Sequence, residues 1–229
     1  MKITSLLVAL LLVSPPAAAA TVTVEASKDA TLIESPDGSL ANGSGPVFFV
    51  GRTNQPANSI RRALICFDLS AALPREAKIE HVALRFQMTP SNPAPRTIHL
   101  HRVLAEWGEG ESAASGGGGA TAGTGDVTWI HTFWNTAFWE HPGGQFVASA
   151  SGSLLVGDAG PYTLDDEGGL TRDVRLWAAS PGRNFGWILI ADETAPQSVK
   201  SFASREDTDP AARPELQITY SLPGTPSRR

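Results

Sequence analysis

Along most of the chain, apolar and polar residues alternate with a period of two, the repeat of a strand with one buried and one wetted face. The clearest stretch is Ile79 to Met88, where Val82, Leu84, Phe86 and Met88 fall on one side and Ala83, Arg85 and Gln87 on the other. Thr97 to Val103 repeats the pattern with Ile98 and Leu100 inward, and Thr21 to Glu25, continued by Ala30 to Glu34, opens it. Val47 to Val50, Arg62 to Leu69, Ser153 to Val156, Phe185 to Ile190, Ser198 to Arg205 and Glu215 to Tyr220 add strands. Turn clusters such as Ser35-Pro-Asp-Gly38 and Asn42-Gly-Ser-Gly-Pro46 divide them. One segment departs from this period. Leu170, Val174 and Trp177 lie four and three apart, Asp173 sits near the start and Ser180-Pro-Gly182 ends the run, which predicts a short helix over Leu170 to Ala179. The pattern as a whole predicts an all-β chain, a single antiparallel β-sandwich with one short helix.

Two stretches stand outside this alternation. Ser112 to Gly125 is a Ser/Ala/Gly/Thr tract with four consecutive glycines, too poor in apolar residues to pack, and reads as a flexible loop insertion. The first 20 residues carry Lys2, the apolar run Leu6 to Val13 and the small residues Ala17 to Ala20, the pattern of a secretory signal peptide with cleavage after Ala18 or Ala20. The run is shorter than the roughly 20 residues that span a bilayer. The expectation is an exported chain, extracellular or periplasmic, with one domain over residues 21–221 and a polar tail over 222–229. Removing Lys2 with the leader changes the formal charge from −5 to −6, a balance that argues against a nucleic-acid partner. The single cysteine, Cys66, has no internal disulfide partner, and its apolar setting Leu64-Ile-Cys-Phe67 reads as a buried, inert thiol.

Several pieces in order resemble the DNRLRE-domain family, jelly-roll modules related to alginate-binding carbohydrate-binding modules. They are Asp29-Ala-Thr-Leu32, Arg62-Ala-Leu-Ile-Cys-Phe-Asp-Leu69 with Leu73-Pro74 and Ala77-x-Ile79, and His101-Arg-Val103 with Trp107-Gly-Glu109. Val127-Thr-Trp129, Trp139-x-x-Pro-Gly-Gly144 and Asn184-x-Gly-Trp-Ile-Leu-Ile190 follow. Phe202-x-Ser-x-Glu206 and Arg213-Pro-x-Leu-x-Ile-x-Tyr220 close the series, which covers about Thr21 to Tyr220. The resemblance implies a sandwich of jelly-roll type and a non-catalytic module that binds an extracellular or cell-wall polysaccharide, in a uronate-rich polymer if the alginate binders are the guide. The glycine-rich insertion and the aromatic run Ile130 to Phe138 depart from the family pattern.

Candidate chemistry follows from this. A sugar ring offers an apolar face that stacks on an aromatic plane while its hydroxyls take polar partners. Trp134 and Trp139, with Phe138 beside them and Asn135, Glu140 and His141 interleaved, suit such a platform or a packed loop; Trp107 and Trp129 stand at strand ends, where core packing competes with ligand contact. An acidic glycan needs a basic face, for which Arg62, Arg85, Arg102, Lys200 and Arg205 are the candidates, against the alternative of scattered solvated charges. Asp29, Glu206, Asp207 and Asp209 are hard-oxygen candidates for a structural calcium ion, or a solvated acidic turn. His99 and His101 share one strand face, and either of them with Tyr162 or Tyr220 would form the acid/base pair of a polysaccharide lyase, the enzymatic alternative. A structural or adhesive surface protein is the third reading. The chain has no G-x-S-x-G, H-E-x-x-H or P-loop motif.

Overall fold

The computed structural model describes residues 19–165 and 168–223; the leader up to Ala18 and the end of the polar tail lie outside them. The strands are β1 (Ala19–Glu25), β2 (Lys28–Ile33), β3 (Leu40–Ala41), β4 (Val47–Arg52), β5 (Ile60–Cys66), β6 (Lys78–Met88), β7 (Arg96–Arg102) and β8 (Ala120–Thr121). Then come β9 (His131–Phe133), β10 (Ala137–Phe138), β11 (Gly152–Val156), β12 (Gly160–Asp165), the α-helix α1 (Gly169–Ala179), β13 (Trp187–Ile190), β14 (Lys200–Ala203) and β15 (Glu215–Ser221). The molecule is an all-β sandwich, and every strand pairing is antiparallel.

Eleven strands make one continuous ladder that folds into two layers. In the first layer β15 lies between β1 and β6, and β12 flanks β6 on its other side. In the second, β5 lies between β2 and β13, followed by β7 and β11. β4 belongs to both: Val47 to Val50 pair with β14, while Gly51 and Arg52 pair with β5. Strands that cross between layers turn a corner, and here the corner is Gly51 at φ 113°, where a Cβ would come within 2.9 Å of the Ser198 carbonyl.

The period-two pattern becomes the main core. Val82, Leu84, Phe86 and Met88 of β6 meet Ala63 and Ile65 of β5, Ile98 and Leu100 of β7, and Trp187 and Leu189 of β13, all buried. Leu170, Val174 and Trp177, the predicted apolar stripe of α1, close one end of this core, with the Trp177 ring 4.5 Å from that of Trp187. Asp173 on the same helix is buried too. It accepts hydrogen bonds from Ser151 Oγ and from Trp187 Nε1 at 3.0 Å, and pairs with Arg102 at 3.2 Å.

A second, smaller core lies on the outer face of the second layer. Ala30, Leu32, Leu64, Cys66 and Ile188 project outward from the strands and are covered by Val103, Trp107, Val127 and Trp139 from the long segment between β7 and β11. This is why Ala63-Leu-Ile-Cys66 is apolar throughout: alternate residues serve different cores, and β5 is buried on both faces. The glycine-rich tract is part of the cover. It carries β8, paired with β3, and Gly117 O accepts the Arg61 guanidinium at 2.5 Å, while Asp126 accepts the amides of Ser112 and Gly123 at 3.2 and 2.6 Å.

Candidate ligand-binding site

The cover segment ends in a small aromatic hairpin. β9 and β10 are joined through Trp134, Asn135 and Thr136, with Asn135 at φ 56°, a left-handed conformation that asparagine tolerates. The Trp134 amide donates to Asp126 O at 2.7 Å, which pins the turn to the body, and the Thr136 amide to Phe133 O at 3.1 Å, which closes the turn. Three rings group here. The His131 ring is 4.8 Å from that of Trp134 at 75° and 4.6 Å from that of Phe138 at 42°. His131 is buried, Trp134 half-buried, and Phe138 is 64% exposed. A hydrophobic ring held that far into solvent on a pinned hairpin, with the hydroxyl of Thr136 and the amide of Asn135 alongside, is the geometry that stacks on an apolar sugar face.

His131 holds the group together. Its Nδ1 lies 2.9 Å from Thr128 Oγ1, and burial lowers its pKa from the ordinary value. The turn at Gly38 packs directly behind it: a Cβ there would fall 2.8 Å from His131 Nδ1 and 2.7 Å from Thr128 Oγ1, at φ +63°. In that turn Asp37 accepts hydrogen bonds from both Ser35 Oγ and Ser39 Oγ, which hold its carboxyl down to about 2.

The other tryptophans expected at a ligand surface pack instead. Trp107 and Trp139 are 1% and 5% exposed, with their indole N–H groups donated to Phe185 O at 2.9 Å and Thr128 O at 3.0 Å. Neither ring has a free face, because together they cover the apolar outer side of the second layer. Where β10 ends, consecutive residues therefore part company: Phe138, its last residue, points out and Trp139, just after it, points in. Trp129 is half-buried beneath the Arg62 guanidinium, 5.0 Å from its ring.

The five basic candidates do not assemble into a strip. Arg62 is bidentate to Glu193 at 2.7 and 3.0 Å and donates to Gly143 O at 2.7 Å. Arg85 pairs with Glu215 directly opposite it on the neighbouring strand β15, and Arg102 with the buried Asp173. Lys200 is fully buried. Its ammonium donates to the carbonyls of Asn92, Ala94 and Gly157, three acceptors for three N–H bonds, and burial lowers its pKa. Each charge is thus consumed by the fold, and the expectation of a basic face gives way to internal pairing.

Arg205 belongs to a different constellation. Asp29, Glu109 and Glu206 bring carboxylate oxygens within 4.8 Å of one another. Asp29 is 1% exposed and accepts the Arg205 amide at 2.8 Å; burial raises its pKa well above the carboxylate range. Burial likewise pushes Glu109 up to about 7, although it accepts the Asp29 amide at 2.7 Å and lies 3.6 Å from the Arg205 guanidinium. Glu206 pairs with Arg205 at 2.5 Å through one oxygen, and its other oxygen is screened from water with no hydrogen-bond partner among the described residues. Of the expected calcium ligands, Asp29 and Glu206 meet; Asp207 and Asp209 do not join them. Those two organise the following turn, Asp207 accepting the Asp209 amide and Asp209 the Ala211 amide. Glu109, 80 residues from Asp29, takes their place.

The lyase residues stay apart. His99 and His101 project from the outer face of the second layer, bonded to Ser153 Oγ at 2.8 Å and Val147 O at 3.0 Å. Tyr162 packs against the main core from the first layer, its hydroxyl donated to Asp158 O at 2.7 Å, and Tyr220 pairs opposite Ile79 in that same layer. No protein-family model matches the chain, and no curated protein matches it.

Proposed function

We propose that the protein is an exported, non-catalytic binding module for an extracellular or cell-wall polysaccharide, a carbohydrate-binding module of the DNRLRE kind that its motif series resembles. The observation that carries the reading is the pinned hairpin with Phe138 exposed, Trp134 half-exposed and His131 packed between them. The ligand stacks on this ring group, hydrogen-bonds the Asn135 side-chain amide and donates to the Thr136 hydroxyl oxygen, whose own proton goes to Phe133 O. The scattering of the basic candidates favours neutral polymers over uronate-rich ones. Export would leave the strand β1 whole if the leader is cleaved after Ala18, whereas cleavage after Ala20 would remove its first two rungs, opposite Ser221 and Tyr220.

Calcium is the proposed cofactor. The orphaned Glu206 oxygen, and two carboxyls raised by burial beside it, fit a hard divalent cation held by Asp29, Glu109 and Glu206. When bound it would supply positive charge that lets all three ionise beside the single Arg205 guanidinium. Saturation at about 100 times the dissociation constant stabilises by about 2.7 kcal/mol, or roughly 5–10 °C for a domain of this size. A melting curve unchanged between calcium and chelator would sink the calcium site.

The binding reading is tested by calorimetry of the chain from Ala19 onward against neutral and uronate polysaccharides. Saturable heat with one class is expected, with Trp134→Ala and Phe138→Ala each weakening it about tenfold, or 1.4 kcal/mol. Unchanged affinity in both variants would remove the hairpin as the site, and silence across the panel would overturn the polysaccharide reading.

A further inference from the structure

We propose that a second site, built from none of the hairpin residues, binds a small organic acid: one carboxylate on a compact apolar body. It goes beyond the polysaccharide reading and does not depend on it. A cleft of about 880 Å³ opens where the C-terminal end of α1 meets the loop between β5 and β6, a size ordinary for small-molecule sites. Its floor is apolar and buried, formed by Phe67, Leu69, Ile79 and Trp177 at 0–6% exposure.

The rim is basic in an acidic protein. Arg75, Lys78 and Arg175 line the cleft against one carboxylate, Asp68, while the chain as a whole carries −5. Asp68 is engaged by the Ser70 amide at 2.9 Å. Among the described residues none of the three cations has a carboxylate partner, unlike Arg62, Arg85, Arg102 and Arg205, each of which is paired. Arg175 is also held in place. Its Nε and Nη2 both donate to Ile79 O, at 2.9 and 2.6 Å, which ties the helix to the start of β6 and leaves the rest of a rigid five-donor fork unused. A guanidinium fixed in this way is set for a carboxylate, with Arg75 of the facing loop and Lys78 at the start of β6 adding charge.

A further unmet group lies in the lining. The indole N–H of Trp177, screened from water, has no acceptor among the described residues. Buried donors are almost always satisfied, and this unpaired one marks Trp177 as the least settled side chain of the cleft floor. The apolar floor selects an organic body over a bare inorganic anion, and the rim selects its charge.

The test is a titration of the full exported chain with 4-hydroxybenzoate, followed by calorimetry and by the six tryptophan indole N–H resonances. Saturable binding with one indole signal shifted is expected. Arg175→Gln, and separately the exposed pair Arg75→Ala with Lys78→Ala, should each weaken it about tenfold, the effect of losing charge-assisted contacts. Neutral 4-hydroxybenzamide and inorganic sulfate should bind far more weakly. Absence of saturable binding up to about 20 mM, equal binding of the amide, or wild-type affinity in the rim double variant overturns the proposal; that variant alters only exposed side chains and decides the matter even if Arg175→Gln fails to fold. Neither outcome changes polysaccharide binding at the hairpin.

Discussion

The two outer faces of the sandwich are made from similar strands and end up unlike. The first layer presents Thr21, Thr23, Gln217 and Thr219 to solvent, with Thr21 and Thr219 hydroxyls 3.0 Å apart across adjacent strands. The second presents Leu32, Leu64, Cys66 and Ile188, and a cover segment closes over them. A bare polar face needs nothing on it, since its side chains are solvated. An apolar face forces some distant part of the chain to fold down, and the aromatics of that part are then divided between packing and exposure. The difference teaches where a ligand platform can arise: Phe138 and Trp134 stand out from the surface because Trp139 and Trp107 beneath them hold the cover down.

The strongest way to break this contrast is Trp139→Ala. Removing a buried indole and its hydrogen bond should cost about 3–5 kcal/mol, lowering the melting temperature by roughly 10 °C or more, whereas Gln217→Ala on the bare face should stay within about 0.5 kcal/mol. Equal, small effects would mean that the cover is not seated as described. Next comes Arg62→Met, which strands Glu193 in a partly buried position and frees Gly143 O. A loss of about 2 kcal/mol is expected, and Glu193→Gln in the same chain should recover part of it; no recovery would place the effect in lost packing on Trp129 rather than in the charge.

The smallest effect sharpens the contrast by pH. Because burial depresses the His131 pKa, the folded chain resists a proton that the unfolded chain accepts near 6.5. The contribution is therefore fully present above that value and is lost as pH falls through the lower, folded one. Between pH 7.5 and 5.5 the wild type should lose about 1–2 °C more in melting temperature than His131→Gln. Since His101 is also depressed by burial and remains in both chains, the difference between them isolates His131. Parallel curves would show that His131 titrates freely and does not organise the hairpin.

Much of the fold is legible in the sequence at the level of single elements. The alternation in Ile79 to Met88 is the inward face of β6, and the stripe Leu170, Val174, Trp177 is the buried side of α1. The site is far less legible. The unbroken apolar run Ala63 to Phe67 does signal burial on both faces, and hence a cover, but nothing local says which residues supply it. Lys200 occupies an inward position in its strand, yet its polarity reads as surface because the three carbonyls that satisfy it come from Asn92, Ala94 and Gly157, about 40 to 110 residues away. Glu109 joins Asp29 across 80 residues, so a search for acidic neighbours along the chain finds Asp207 and Asp209 instead.

By itself, then, the sequence determines what each segment is: strand or helix, and which side of it avoids water, because those depend on side-chain spacing within a few residues. Only the tertiary structure decides which aromatic rings face solvent and which carboxylates and guanidiniums share a charge. Phe138 and Trp139 are adjacent, alike in hydrophobicity, and opposite in fate. What separates them is the apolar face of β2, β5 and β13 beneath one and not the other, a contact between parts of the chain too far apart for any local pattern to encode.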